Sequence, residues 1–212
     1  IMELLIKILK EYDIELTREQ TEQYAEYMDQ ILEYNQHINL TSITDRDEFI
    51  KKHYADSILG AMNDEFMAGE KIIDVGTGAG FPGVPLAILF PDKEFVLLDS
   101  LNKRLKIVNE ICKSIGINNV RVLHTRAEDA GRNREYREQF DICISRAVAD
   151  LSVLSELCLP FVREGGCFLS YKGSNYEEEL KGAAKAIRVL GGKTSKVESV
   201  SRSDTEFDHN II

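Results

Sequence analysis

Residues 74–88 read DVGTGAGFPGVPLAI, Asp74 to Ile88, and follow the short apolar run Lys71 to Val75. An apolar run that enters a glycine cluster and leaves through an aliphatic stretch reads as strand, tight loop and helix. Glycines at 76, 78 and 80 let the backbone turn sharply and approach a ligand closely. A dinucleotide fingerprint would read GxGxxG, with a pyrophosphate at the helix N-terminus. Here the spacing is GxGxG, and Pro82 and Pro85 remove two amides that an anion would use. Asp74 adds negative charge just before the loop. The combination suits a cationic ligand better than a diphosphate. S-adenosylmethionine, with its sulfonium and ammonium, has that character.

Downstream of this loop the chain alternates. Strand-like runs recur at Glu94 to Leu98, Val120 to His124, Phe140 to Ser145 and Cys167 to Tyr171. Helix-like stretches lie at Val84 to Phe90, Lys103 to Ile115, Leu151 to Val162 and Tyr176 to Leu190. This pattern predicts an α/β fold with a doubly wound parallel sheet over residues 71–212. Lys193 to Val200 and Phe207 to Ile212 read as a closing antiparallel hairpin.

The strand ends carry the chemistry. Asp99, at the tip of the second strand, is placed to accept hydrogen bonds from two ribose hydroxyls. The third strand is followed by Arg126-Ala127-Glu128-Asp129, a position suited to an adenine. Singly, an Asp after a strand reads as a helix cap, and Glu128-Asp129 as a solvated turn. The loop and these two sites, at successive strand ends of one sheet, favour a nucleotide cofactor. The fourth strand ends Ile144-Ser145-Arg146-Ala147-Val148-Ala149, where a methyl acceptor should sit. None of the four prolines are adjacent, so the [DNS]PP[YF] tetrapeptide of amine methylation is missing. Cys143 in a strand and Cys158 in a helix do not suit cytosine C5 chemistry. An acceptor whose lone pair attacks directly remains, such as a ring nitrogen like guanine N7. It needs alignment and exclusion of water, not a general base.

Residues 1–70 read as a helical extension. Leu4, Leu5, Ile8, Leu9 and Tyr12 fall at helical spacing, and Thr17-x-x-Gln20 fits a capping box. Tyr24, Tyr27, Met28, Ile31 and Leu32 follow an amphipathic period, with the tyrosines on the core side. Asn35 to Thr41 reads as an ordered loop, and a further helix starts near Thr44 or Asp45.

The net charge of −10 speaks at first against a nucleic-acid partner. Residues 1–70, however, hold 16 acids against 6 bases, while residues 71–212 hold 20 of each. The excess lies wholly on the extension. A nucleic acid is therefore expected on the neutral catalytic domain, away from the flank of residues 1–33, with weak and salt-sensitive affinity. No apolar run approaches the ~20 residues of a membrane span, and no signal pattern is evident. Cys112, Cys143, Cys158 and Cys167 make no CxxC pair, so reduced cytosolic thiols are expected and a metal is not. A start at Ile1 before Met2, and an end inside an apolar run, suggest a trimmed product.

Several motifs together resemble the bacterial 16S rRNA guanine-N7 methyltransferases, also called glucose-inhibited division protein B. They are Asn35-x-x-x-Asn39-Leu40-Thr41, His53-x-x-Asp56-Ser57, DVGTGAGFPG, LLDSLNKR (Leu97 to Arg104), Arg126-Ala127-Glu128, Ser145-Arg146-Ala147-Val148-Ala149 and Lys172-Gly173. The glycine motif is shared by many methyltransferases, but the combination is specific and spans nearly the whole chain. The resemblance implies a class I S-adenosylmethionine-dependent methyltransferase sheet with an N-terminal helical extension. It implies methyl transfer to N7 of one guanine in 16S rRNA, as naked RNA or in the small ribosomal subunit. A cytoplasmic location follows from the cysteines and the missing signal pattern, and a monomer is the default expectation. It places Gly76, Phe81, Ala127, Glu128 and Arg146 at the cofactor, beside Gly78, Gly80 and Asp99. Arg126, Arg146 and Lys172 are the cations expected near the target base or its phosphate. Where the family usually has an Arg near the final strand, this chain has His209, a weaker and pH-dependent charge. The basic tail of many relatives does not appear.

Blander readings stand beside these. Asn39 and Thr41 read equally as a loop cap and as pocket lining. His53 and Asp56, one turn apart, read first as a structural pair. Arg132 to Arg137 reads as a solvated helix face. A methyltransferase for a small molecule or protein, a binding module that has lost transfer, and a dehydrogenase are the competing functions.

Overall fold

The computed structural model describes residues 2–146, 148–201 and 208–212, and the side chains of 201, 208 and 209 are not among what is described. The chain opens with α1 (Glu3–Lys10) and α2 (Arg18–Asn35). Thr17 Oγ1 accepts from the Gln20 amide at 3.1 Å and Gln20 Oε1 from the Thr17 amide at 2.9 Å, so the expected capping box closes. Leu5, Ile8 and Leu9 of α1 and Tyr24, Tyr27, Met28 and Ile31 of α2 are buried, as the apolar spacing predicted, whereas Tyr12 lies past the end of α1 and is exposed.

A third helical stretch starts at Asp45, whose side chain caps the Glu48 amide at 2.9 Å. It runs through α3 (Arg46–Phe49), a π-helical segment Ile50–Ala55 and α4 (Asp56–Leu59). The Asp56 amide bonds to the Lys51 carbonyl, one residue farther back than in an α-helix. The short α5 (Asp64–Ala68), capped by Asn63, precedes the sheet and was not anticipated.

The remaining elements alternate: β1 (Lys71–Val75), α6 (Gly83–Leu89), β2 (Glu94–Asp99), α7 (Asn102–Ser114), β3 (Val120–His124), α8 (Ala127–Ala130), β4 (Phe140–Arg146), α9 (Leu151–Cys158), β5 (Val162–Lys172), α10 (Tyr176–Val189), β6 (Glu198–Ser201) and β7 (Asp208–Ile211). The sheet order is β3-β2-β1-β4-β5-β7-β6. The first five strands are parallel, and β7 runs antiparallel to both β5 and β6. The expected hairpin forms, and its second strand inserts between β5 and β6. Phe207 of that expected strand lies outside the described residues.

Two readings needed correction. The strand expected from Cys167 begins at Val162, paired with Phe140, and the register shifts between Phe140 and Ile142. Gly165, at φ +79°, and Gly166, where a Cβ would meet the Asp141 carbonyl at 2.5 Å, permit that irregularity. The segment after Gly131 is a series of turns, with the Tyr136 and Arg137 amides both on the Asn133 carbonyl, rather than a helix.

The sheet separates two apolar clusters. Ile72, Leu97, Ile144 and Leu169 face α1, α2, α6 and α7 in the larger one. Ile73, Val75, Val96, Leu98 and Cys143 face Leu154, Cys158 and Phe161 in the smaller one. The helical extension thus shares one continuous core with the sheet. Central strands buried on both faces explain the near-continuous apolar runs in the sequence.

Candidate active site

In the observed order β1 and β4 are neighbours whose following segments leave in opposite directions, which opens a crevice at their carboxyl ends. Ser145 Oγ donates to the Val75 carbonyl at 2.8 Å and ties the two strand tips together. The glycine loop starts there. The Gly76 and Thr77 amides donate to the Leu98 carbonyl at 2.8 and 3.1 Å, and Gly76, Gly78 and Gly80 have φ of +75°, +59° and +87°. A Cβ on Gly76 would meet Val148 Cγ2 at 2.5 Å, and one on Gly80 would meet Tyr27 Oη at 2.3 Å. A Cβ on Gly78 would meet nothing within 4 Å. The loop is therefore packed hard at both ends and open at its middle.

Asp74 lies beneath this loop, fully buried. Its Oδ2 accepts from Thr77 Oγ1 at 2.7 Å and from the Gly83 amide at 2.9 Å, while Oδ1 has no hydrogen-bond partner among the described residues. Burial pushes its pKa up to about 7 against these hydrogen bonds. The sequence placed its charge at the ligand. In the structure the carboxylate instead occupies the first amide of α6, which an anion would otherwise use.

Asp99 Oδ2 accepts from the Gly78 amide and Oδ1 from the Leu101 amide, both at 2.9 Å. Each oxygen keeps a second lone pair, so its position still suits ribose hydroxyls. Ala127, buried, and Glu128, exposed, open α8 at the end of β3. Both lie at the same sheet edge as the loop.

Arg146 ends β4 and turns onto the helical extension. Its Nη1 donates to Asp56 Oδ2 at 2.6 Å and to the Lys52 carbonyl at 3.0 Å, and its Nη2 lies 3.2 Å from His53 Nδ1. The ion pair is shielded, with the Arg146 and Asp56 side chains 12% and 2% exposed. His53 stacks on Phe81 at 4.2 Å with 2° between the planes, and the guanidinium lies 5.7 Å from the Phe81 centroid. His53 Nε2 is 2.8 Å from Thr41 Oγ1. Asn35 Oδ1 accepts from the Leu40 and Thr41 amides, and Arg104 donates to the Asn39 carbonyl, so the expected loop order is real.

The two other expected cations differ from Arg146 and from each other. Lys172 is buried, paired with Glu179 at 2.6 Å and donating to the Ala149 carbonyl at 2.6 Å. Glu179 also accepts from the Leu151 amide at 3.0 Å, so this cluster pins the segment after β4. Arg126 is exposed, and its carbonyl accepts from the Asp129 and Ala130 amides while its guanidinium makes no hydrogen bond or ion pair among the described residues. It stands at the end of β3, four strand positions from β5. At ~4.8 Å per strand the two backbones are about 19 Å apart. Lys172 and Arg126 therefore do not converge on one base. The side chain of His209 lies outside what is described.

The extension also supports the loop in a way the sequence did not reveal. Tyr27 and Tyr24 are fully buried as core residues. Their hydroxyls donate to the Ala79 carbonyl at 2.9 Å and to the Pro85 carbonyl at 2.6 Å. Helical spacing marks such tyrosines as buried without showing where their hydroxyls go.

Several solved structures that share this fold are named as methyltransferases. A putative O-methyltransferase from Klebsiella pneumoniae superposes with a TM-score of 0.57 at 14% identity, over 87% of this chain and 88% of that one. TYW2 of M. jannaschii in complex with AdoMet superposes at 0.56 with 16% identity, over 80% and 76%. These likenesses define the fold as the class I methyltransferase sheet, with the glycine loop at the tip of its first strand.

Sequence comparison narrows this to one family. Residues 20–208 match the family described as GidB, rRNA small subunit methyltransferase G. The chain is 47% identical over 210 residues to the ribosomal RNA small subunit methyltransferase G of Clostridium beijerinckii, covering 99% of this chain and 88% of the relative. It is 43% identical over 212 residues to that of Lactobacillus johnsonii, covering 99% and 89%. The chain belongs to the rRNA small subunit methyltransferase G family.

Proposed function

We propose that this enzyme methylates N7 of one guanine in 16S ribosomal RNA, using S-adenosylmethionine bound at the glycine loop. The observation that carries the reading is Arg146. A shielded arginine leaves a central strand tip beside the open face of a GxGxG loop, in a chain whose relatives are named for small-subunit rRNA methylation.

The residues fit the cofactor. The open face at Gly78 admits a ligand against the backbone, and Asp99 has lone pairs to spare for a ribose. Gly76, Gly80 and Phe81 shape the loop, Ala127 and Glu128 border the adenine side, and Arg146 closes the site. When bound, the cofactor supplies an electrophilic methyl on a sulfonium. The protein's task is then alignment of a guanine N7 lone pair with that carbon while water is kept out. N7 carries no proton, so no side chain need act as base. The guanine becomes cationic on transfer, and the bond electrons leave with the sulfur.

Within this reading Arg146 is the cation nearest the reacting groups. Lys172 acts through the segment it pins, and exposed Arg126 meets a phosphate at the far side of the face. The acidic flank of residues 1–33 stays away from RNA, and the active form is a monomer in the cytoplasm.

The test incubates purified enzyme with methyl-labelled S-adenosylmethionine and either free 16S RNA or small subunits from a strain lacking the gene. N7-methylguanine is mapped by its base-labile backbone. One labelled guanine, lost in Arg146→Ala and Gly78→Asp, is the expected result. Label in another base, in protein or in a small molecule would overturn the acceptor. Undiminished labelling by both variants would overturn the site.

A further inference from the structure

The HxxDS and NxxxNLT segments make one device. We propose that His53 is a positioning residue for Arg146: held neutral with its proton on Nε2, it fixes the orientation of the guanidinium beside the cofactor loop. This rests on the reading of Arg146 given above and goes beyond it.

The tautomer follows from donors and acceptors. An arginine nitrogen only donates, so the 3.2 Å contact with Nη2 requires a lone pair on His53 Nδ1. The ring proton then sits on Nε2 and is donated to Thr41 Oγ1 at 2.8 Å. Thr41 Oγ1 also accepts from the Ile43 amide at 3.0 Å and keeps a second lone pair for the ring N–H. Thr41 itself is anchored through its amide to Asn35 Oδ1. Protonation of His53 would put a second cation against Arg146, and burial together with that arginine lowers its pKa to about 3.

Position is set as firmly as protonation. The imidazole lies flat on Phe81, the last residue of the glycine turn, and edge-on to Phe49. His53 sits in the π-helical segment, with Asp56 and Ser57 immediately after it, and all three converge on Arg146. Nη1 is taken up by Asp56 and the Lys52 carbonyl, whereas on Nη2 His53 is the partner the structure shows. Without His53, Asp56 and the Lys52 carbonyl hold only the Nη1 end of the guanidinium, and Nη2 loses the acceptor the structure shows for it. With it, both terminal nitrogens are held and the guanidinium keeps one orientation.

Two substitutions separate this role from packing. His53→Asn places an amide oxygen near the Nδ1 position and keeps an acceptor for Arg146. His53→Gln is larger, fills more of the space on Phe81, and places its polar end near Nε2. If the acceptor matters, His53→Asn stays within about threefold of parent affinity for S-adenosylhomocysteine in calorimetry, and His53→Gln weakens it about tenfold or more, the scale of one charged hydrogen bond. If only packing matters, the order reverses or the two are equal, and the proposal is overturned. Nitrogen NMR of the labelled parent reads the tautomer directly, with no dependence on how variants fold. A proton on Nδ1, or a charged ring at pH 6, would overturn the proposal by itself. Arg146→Ala is the control. If it binds as the parent does, the reading of the site fails; if it binds weakly while His53→Gln binds like the parent, only the present inference fails.

Discussion

The Tyr27 hydroxyl donates to the Ala79 carbonyl at 2.9 Å, across 52 residues of sequence, and so hangs the glycine loop from helix α2. The helical extension thus supports the glycine loop directly. Tyr27→Phe leaves that carbonyl buried without this donor, at a cost of about 1–3 kcal/mol. Weaker cofactor binding together with a lower melting temperature is expected. A variant less stable but with unchanged affinity would show that the loop holds its shape unaided.

Glycines 78 and 80 should respond differently to alanine. A methyl on Gly80 meets Tyr27 Oη at 2.3 Å and Val84 Cγ2 at 2.7 Å at φ +87°, so Gly80→Ala strains packing as well as backbone. A methyl on Gly78, at φ +59°, meets open space. Gly78→Ala should cost only about 1–2 kcal/mol of stability yet intrude on bound cofactor. Thermal melts paired with calorimetry test this: the larger loss is in stability for Gly80→Ala, and in affinity for Gly78→Ala.

His53 and Asp74 push the pH dependence of stability in opposite directions. Below pH 6.5 the unfolded chain protonates His53, which the native state resists until about pH 3, so falling pH destabilises the fold across that window. Asp74 holds its proton in the native state up to about pH 7, whereas the unfolded chain releases it near 3.8, so rising pH destabilises the fold. Between pH 4 and 6.5 the two offset. Relative to the parent, Asp74→Asn should therefore gain stability as pH rises, by at most about 1.4 kcal/mol per unit. His53→Gln should gain relative stability as pH falls. Urea melts at pH 4.5, 5.5 and 6.5 read both slopes, and a parallel trend for parent and variants would refute the assignment.

Lys172 and Arg126, alike in sequence, should behave as different kinds of cation. Lys172→Ala strips Glu179 and the Ala149 carbonyl of a buried donor, and should cost about 3 kcal/mol as well as activity, through the segment after β4. Arg126→Ala should leave the melting temperature unchanged. It should weaken RNA binding and reduce the salt dependence by about one counterion. A stability loss in Arg126→Ala, or none in Lys172→Ala, would contradict the geometry.

Much of the fold was legible because burial and backbone conformation leave local marks. The Thr17–Gln20 box, the Asp45 cap, the apolar strands and the GxGxG loop each lie within a few residues and need no distant partner. Errors fell where two effects compete locally. The strand expected from Cys167 starts at Val162, because Gly165 and Gly166 allow β5 to begin early beside Phe140. The mixed charges after Gly131 suited a helix, but nothing there supplies an apolar face, and turns form instead.

The sequence by itself determined the alternation of strand and helix, the glycine loop after the first strand, and which residue types stand at the strand tips. Only the tertiary structure decided which of them act together. Arg146 meets Asp56 across 90 residues, and Tyr27 meets Ala79 across 52. Asp74 turns away from the ligand to cap α6, and Lys172 is spent on Glu179. Local periodicity records whether a side chain is buried, because burial follows from its own position on a helix or strand. The partner it meets there depends on strand order and on how the extension packs over the sheet, and no local pattern carries that.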